Sequence, residues 1–89
     1  MATMGKHEKL LLRIVQGSSD RNIKFEDLRK LLLHLGFEER IRGSHHLFRK
    51  RGVEEMINLQ KDASNAKYYQ VRQVRAVLLR YRLGDQGNV

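Results

Sequence analysis

Hydrophobic residues recur at helical spacing in three segments of the chain. The first segment runs from Lys6 to Gln16, and Gly17 with the polar residues after it ends the pattern. The second and clearest runs from Phe25 to Leu35, and Gly36 follows at the position where a glycine commonly ends a helix. The third runs from Lys67 to Arg82. The pattern predicts three amphipathic helices. We expect the first to cover the domain's own core, with a partner-binding helix as the alternative.

The chain between the second and third helices alternates between apolar and polar residues, which is typical of β-strands. Two predicted strands, Phe37 to Arg42 and His45 to Lys50, flank the pair Gly43-Ser44, which is typical of a two-residue hairpin turn. A third antiparallel strand is predicted between Val53 and Gln60. Its inward side chains are Ile57 and Leu59. The segment therefore predicts a three-stranded meander.

The order of these elements indicates the fold class. Two helices on one face bury the apolar side of a small antiparallel sheet and leave its other face open. We therefore predict an α+β fold with a three-stranded antiparallel sheet and helices on one face. Residues 61–67 have the composition of a loop, with Ser64 or Asn65 as the predicted N-cap of the last helix. The predicted divisions are an N-terminal extension with a short helix (1–23), the main domain (24–83) and a polar C-terminal tail (84–89).

The two-residue turn determines which residues lie side by side in the first hairpin. It sets Arg42 opposite His45 and Ile41 opposite His46, and opposed residues share a face of the sheet. The two histidines therefore point to opposite faces, and a longer loop would exchange them. The predicted core face carries Phe37, Ile41, His46 and Phe48. The predicted open face carries Arg40, Arg42, His45 and Arg49, with Leu47 as an apolar exception.

Composition narrows the class of partner. The formal net charge of +8 and the isoelectric point near 10.3 indicate a polyanionic partner, most often nucleic acid. The chain has no cysteine, which excludes a disulfide framework and a thiolate metal site. Its apolar runs are far shorter than the ~20 residues of a membrane-spanning helix, and the charged N-terminal segment has no signal-peptide pattern. We therefore expect a cytoplasmic protein with no membrane partner.

Candidate chemistry is concentrated at the first hairpin. An imidazole surrounded by arginines on an open face is typical of sites that act on phosphates, so His45 is the candidate catalytic residue. A second basic feature is a predicted ridge formed by Arg72, Arg75 and Arg82 along the edge of the last helix. The alternative is that these arginines are an ordinary solvated flank of the helix. His45 and His46 would be a poor metal pair because adjacent strand residues diverge. No cofactor-binding motif is present, so we expect neither a metal nor a cofactor.

The hexad Gly43-Ser44-His45-His46-Leu47-Phe48, which follows a helix ending in Leu35-Gly36-Phe37, resembles a motif of the HicA toxins of bacterial and archaeal toxin-antitoxin pairs. The resemblance extends from about Lys24 to Leu83. It implies a fold like that of double-stranded-RNA-binding domains and metal-free cleavage of mRNA by the first histidine of the hexad, here His45. It also implies a HicB-type antitoxin as partner. The chain departs from the commoner family pattern at residues 1–22, Asn58-Leu59-Gln60 and Tyr69-Gln70-Val71.

The function predicted from the sequence is that of a metal-independent endoribonuclease toxin. His45 would remove the proton of a ribose 2′-hydroxyl, and a nearby hairpin arginine would stabilise the developing oxyanion. The leaving oxygen would take its proton either from water or from another side chain. One alternative is a non-catalytic RNA-binding module that uses the same face, and a DNA-binding accessory protein ranks lower because no helix-turn-helix signature is present. The predicted RNA-binding residues are Arg40, Arg42, Gly43, Ser44, Arg49, Arg72, Arg75 and Arg82.

Overall fold

A computed structural model describes residues 5–84 of the chain. This part contains three α-helices, a three-stranded antiparallel sheet and a small two-stranded sheet, so the predicted α+β class is confirmed. A short 3-10 helix, Asp20–Asn22, precedes the second α-helix. The α-helices are α1 (Lys6–Gln16), α2 (Phe25–His34) and α3 (Tyr68–Arg80), and the strands are β1 (Glu38–Arg42), β2 (His45–Arg49), β3 (Ile57–Leu59), β4 (Lys61–Asp62) and β5 (Asn65–Ala66).

Glycines end the first two helices where the sequence predicts. Gly17 has a left-handed φ of 74°, and its N–H donates to the carbonyl oxygens of Arg13 and Ile14 in the last turn of α1. Gly36 follows α2 with φ 98°. That helix ends at His34, one residue before the predicted end, and α1 has its predicted bounds. The local sequence therefore determines where both helices end.

The three-stranded sheet has the order β1-β2-β3, and its inner face packs against the helices. Phe48, Ile57 and Leu59 are fully buried on that face, as the alternation predicts. β3 is only three residues long, so the strand predicted from Val53 onward is shorter than expected. The expectation that Ile41 lies in the core is wrong, because this residue is 56% exposed. It belongs to the edge strand β1, one residue before the end of the strand at the turn.

The segment after β3 forms a second hairpin instead of the predicted loop. β4 pairs with β5, and the Ala66 N–H donates to the carbonyl oxygen of Ile23. This bond fixes the second hairpin to the chain that leads into α2 and keeps the backbone extended as far as Lys67. The N-cap of α3 is therefore Lys67, and the predicted N-cap at Ser64 or Asn65 is wrong.

One hydrophobic core joins all three helices and the inner face of the sheet. Leu10 and Ile14 of α1 are buried in it, so the first helix covers the domain's own core as expected. Ile23, inside the segment predicted to be an extension, is fully buried in the same core. None of the helices in the described part of the chain is long and apolar enough to cross a membrane. Of the predicted C-terminal tail, residues 85–89 lie outside the described residues.

Candidate functional site at the first hairpin

The first hairpin has the predicted turn and register. Gly43 has φ 58°, the left-handed conformation that glycine adopts readily, and Ser44 completes the two-residue turn. Arg42 pairs with His45 across the turn, and His46 belongs to the next pair. His45 is exposed on the open face, whereas His46 points to the inner face. The prediction of which histidine faces solvent is therefore confirmed.

Two amide side chains on the sheet's open face contact the His45 ring. Its Nδ1 lies 3.1 Å from Asn58 Oδ1, and its Nε2 lies 3.5 Å from Gln60 Nε2. An amide oxygen only accepts hydrogen bonds and an amide nitrogen only donates them. The two contacts therefore fit a neutral ring that carries its proton on Nδ1 and a lone pair on Nε2. Nε2 is the ring atom that can accept a proton from a bound molecule.

Gln60 connects this histidine to the turn and to the beginning of α3. Its side-chain amide donates to Ser44 Oγ at 3.1 Å, and its side-chain oxygen accepts a bond of 3.4 Å from Lys67 Nζ. Its backbone N–H donates to Oε1 of the buried Gln70 at 2.7 Å. Contacts from three parts of the chain therefore fix the position of Gln60, and Lys67 places a cation one side chain away from His45.

The sequence-based site does not include Asn58, Gln60 or Lys67. The signal for the first two is the alternation of the third strand: with Leu59 inward, the residues on either side of it must face the open side, where His45 lies. Asn58 and Gln60 could therefore have been found from the sequence. Lys67 could not, because its position depends on the second hairpin, which the local pattern does not indicate.

Arginines make the open face basic. Arg40, Arg42 and Arg49 are exposed there, and none of them forms an ion pair within residues 5–84. Together they line a shallow depression that also includes Leu47, Met56 and two glutamates, Glu38 and Glu39. The apolar exception noted in the sequence is thus part of the same surface. The three exposed guanidinium groups lie on the same face of the sheet as the exposed His45 imidazole, and Arg42 is its direct neighbour, which makes this face suited to phosphates.

The three arginines predicted to form a ridge along the last helix have different surroundings. Arg75 Nε donates to the Ile14 carbonyl oxygen at 2.9 Å, and its Nη2 lies 2.6 Å from Asp20 Oδ2. This half-buried guanidinium links α3 to α1 and the 3-10 helix, so its donors are engaged within the fold. The Arg72 side chain is 65% exposed and lies 3.8 Å from the same carboxylate. Arg82 lies beyond the end of α3, with φ 52°.

His46 belongs to a network on the inner face of the sheet. Its Nδ1 lies 2.7 Å from Glu39 Oε2, and its ring contacts Phe25 edge to face, with the ring centroids 4.8 Å apart. Arg29 Nε donates to both carboxylate oxygens of Glu39, at 2.8 and 3.0 Å. The bond from Arg29, supported by the bond from His46, lowers the pKa of Glu39 against the opposing effect of burial. The surroundings of His46 indicate a structural role.

The polar side chains on the open face that could contact a bound molecule are an imidazole, two amides and several cations. Within residues 5–84, no group of three or more histidine, aspartate or glutamate side chains is arranged to hold a metal ion. Comparisons of the chain with protein-family models, curated proteins and solved structures find no match.

Proposed function

We propose that this protein is a metal-independent endoribonuclease that cleaves mRNA and acts as the toxin of a type II toxin-antitoxin pair. The observation that supports it is the pairing of Arg42 with His45 on an exposed basic face, with the histidine ring oriented by Asn58 and Gln60. The resemblance of residues 43–48 to the HicA hexad supports the same function. It also suggests a HicB-type antitoxin as the partner that restrains the enzyme.

The proposed reaction begins at the ribose 2′-hydroxyl beside the scissile phosphate. His45 Nε2 accepts the hydroxyl proton, the 2′-oxygen bonds to phosphorus, and the bond from phosphorus to the 5′-oxygen of the next nucleotide breaks. The leaving 5′-oxygen takes up a proton from water or from a neighbouring acid. The products are a 2′,3′-cyclic phosphate and a 5′-hydroxyl end. DNA cannot react in this way because it lacks the 2′-hydroxyl.

The surrounding side chains have separate roles in this reaction. Arg42, directly opposite His45, donates to the nonbridging phosphate oxygens as negative charge develops on them. Arg40 and Arg49 lie farther along the hairpin and bind neighbouring phosphates. Asn58 is a positioning residue, because its acceptor at Nδ1 keeps the proton off Nε2. The basic face thus binds RNA, and the oriented imidazole removes the proton of the 2′-hydroxyl.

The test of this proposal compares His45→Ala with His34→Ala, a matched control at an exposed histidine in the last turn of α2. Single-stranded RNA is incubated with each protein in EDTA. We expect His45→Ala to lose cleavage by about 100-fold or more, the usual contribution of a general base, and His34→Ala to retain it. RNA with one 2′-deoxy nucleotide at the cleavage site should bind normally and resist cleavage there.

Three results would contradict the proposal. Undiminished cleavage by His45→Ala would remove this histidine from the chemistry. Cleavage abolished by EDTA and restored by a divalent cation would replace the metal-independent mechanism with a metal-dependent one. Wild-type protein that binds RNA without producing cyclic phosphate ends would favour the second candidate, a non-catalytic RNA-binding module. The exposed arginines of the open face support that candidate because phosphate binding requires no catalytic group.

A further inference from the structure

Two tyrosines lie in the first turn of α3, and their rings have different surroundings. Arg21 lies 4.0 Å from the centroid of the Tyr68 ring and Arg72 lies 5.2 Å from it, so this ring is covered by cations. Tyr69 is 51% exposed and meets Tyr68 edge to face at 5.6 Å and 86°. A cation, Lys67, also lies near its ring, with Nζ 6.0 Å from the centroid. A large part of the Tyr69 ring therefore faces solvent.

A series of side-chain contacts links the exposed ring of Tyr69 to the proposed catalytic histidine. Lys67 Nζ donates to Gln60 Oε1 at 3.4 Å, and Gln60 Nε2 lies 3.5 Å from His45 Nε2. Lys67 and Gln60 therefore connect the tyrosine with the imidazole through successive contacts. Together they form a continuous polar connection from the first hairpin to the first turn of α3. A nucleic acid strand that follows these side chains from His45 reaches the first turn of α3.

We propose that Tyr69 stacks on the nucleobase of a nucleotide that flanks the scissile phosphate in single-stranded RNA. The placement of that phosphate at His45 rests on the proposed function. An exposed aromatic ring beside cations is the combination by which proteins bind single strands: the ring stacks on a base while the cations bind the backbone. Lys67, Arg21 and Arg72 supply these cations around the tyrosine pair. Bases inside a duplex are already stacked, so this contact favours single-stranded RNA.

The first experiment measures binding of a short single-stranded RNA in a His45→Ala background, which prevents cleavage during the titration. Tyr69→Leu removes the aromatic face, and Tyr69→Phe retains it. Leu79→Ala is the matched control, because Leu79 is 55% exposed and lies about 15 Å along the same helix. We expect Tyr69→Leu to weaken binding about 5- to 100-fold and the other two changes to leave it nearly unaltered. The salt dependence of binding should not change, because no phosphate contact is lost.

The second experiment locates the stacked base with abasic nucleotides placed singly along the same RNA. In the His45→Ala protein, an abasic nucleotide at one position next to the cleavage site should weaken binding about 5- to 100-fold. In Tyr69→Leu the abasic nucleotide at that position should have no further effect, because its partner ring is already absent. An equal additional loss in both proteins, or unchanged binding by Tyr69→Leu, would overturn the proposal. A further outcome is that wild-type protein never cuts RNA while the abasic nucleotide still weakens binding only when Tyr69 is present. That result would support the tyrosine contact and contradict the nuclease assignment.

Discussion

Replacing His46 by alanine should destabilise the fold far more than the same replacement at His45, although the two residues are adjacent in the chain. The His46 side chain is 19% exposed and contacts both Glu39 and Phe25 on the inner face. His45 lies on the open face, and its contacts are with side chains at the surface. The difference arises because successive residues of a strand point to opposite faces of the sheet.

Two lost interactions determine the size of the effect. A hydrogen bond to a charged group contributes about 1.5–3 kcal/mol, and an edge-to-face aromatic contact contributes about 0.5–1.5 kcal/mol. Glu39 retains both bonds from Arg29, so the larger penalty for an unpaired buried carboxylate does not apply. We expect His46→Ala to lower the free energy of unfolding by about 2–4 kcal/mol and to lower Tm by roughly 10–25 °C. His45→Ala should lower it by about 0.5 kcal/mol or less.

Urea unfolding followed by circular dichroism measures both variants, since the chain has no tryptophan to report by fluorescence. His46→Asn is the matched control. Its amide nitrogen can replace the ring Nδ1–H as donor to Glu39, whereas the contact with Phe25 is lost. This variant should therefore have a stability between those of wild type and His46→Ala. Equal destabilisation by His45→Ala and His46→Ala would refute the assignment of the two faces.

Three further predictions concern charges and the orientation of the His45 ring. Arg29 above all lowers the pKa of Glu39 in the fold, so ionised Glu39 stabilises the protein. This stabilisation is fully present above the ordinary glutamate pKa of ~4.3 and is lost as the pH falls through the lower pKa of the folded state. Glu39→Gln should remove this part of the acid dependence of the urea midpoint. Arg42→Gln should reduce the slope of log affinity for single-stranded RNA against log salt by about 0.7, whereas Arg75→Gln should lower stability and leave the slope unchanged. Asn58→Ala should lower kcat in RNA cleavage with little change in KM, because it releases the ring without removing a phosphate contact.

The first hairpin could be predicted because everything that determines it is local. The pair Gly43-Ser44 specifies a two-residue turn, and the turn alone sets the register that places His45 beside Arg42. The exposure of Ile41 could not be predicted in the same way. Alternation indicates the face on which a side chain lies but not how far the helices cover that face, and an edge strand is covered least.

The environment of Arg75 shows a different limit of sequence patterns. Helical spacing correctly places this residue at the edge of the apolar stripe of α3. It does not indicate whether that edge meets solvent or another segment, and here it meets Asp20, 55 positions earlier in the chain. The second hairpin has the same limitation, because its position depends on a bond from Ala66 to Ile23. Contacts between distant segments determine both features, and the local sequence carries no signal for them.

The side chains around His45 come from two of the segments in which the sequence departs from the HicA pattern. Asn58 and Gln60 contact the imidazole directly, and Tyr69 lies beyond Lys67 at the beginning of α3. The hexad itself is intact. Under the proposed function, His45 of the hexad supplies the proton transfer, Asn58 and Gln60 orient its ring, and Tyr69 stacks on a base of the RNA. Substitution of Tyr69 should therefore weaken the binding of RNA, whereas substitution of Asn58 or His45 should slow the reaction itself.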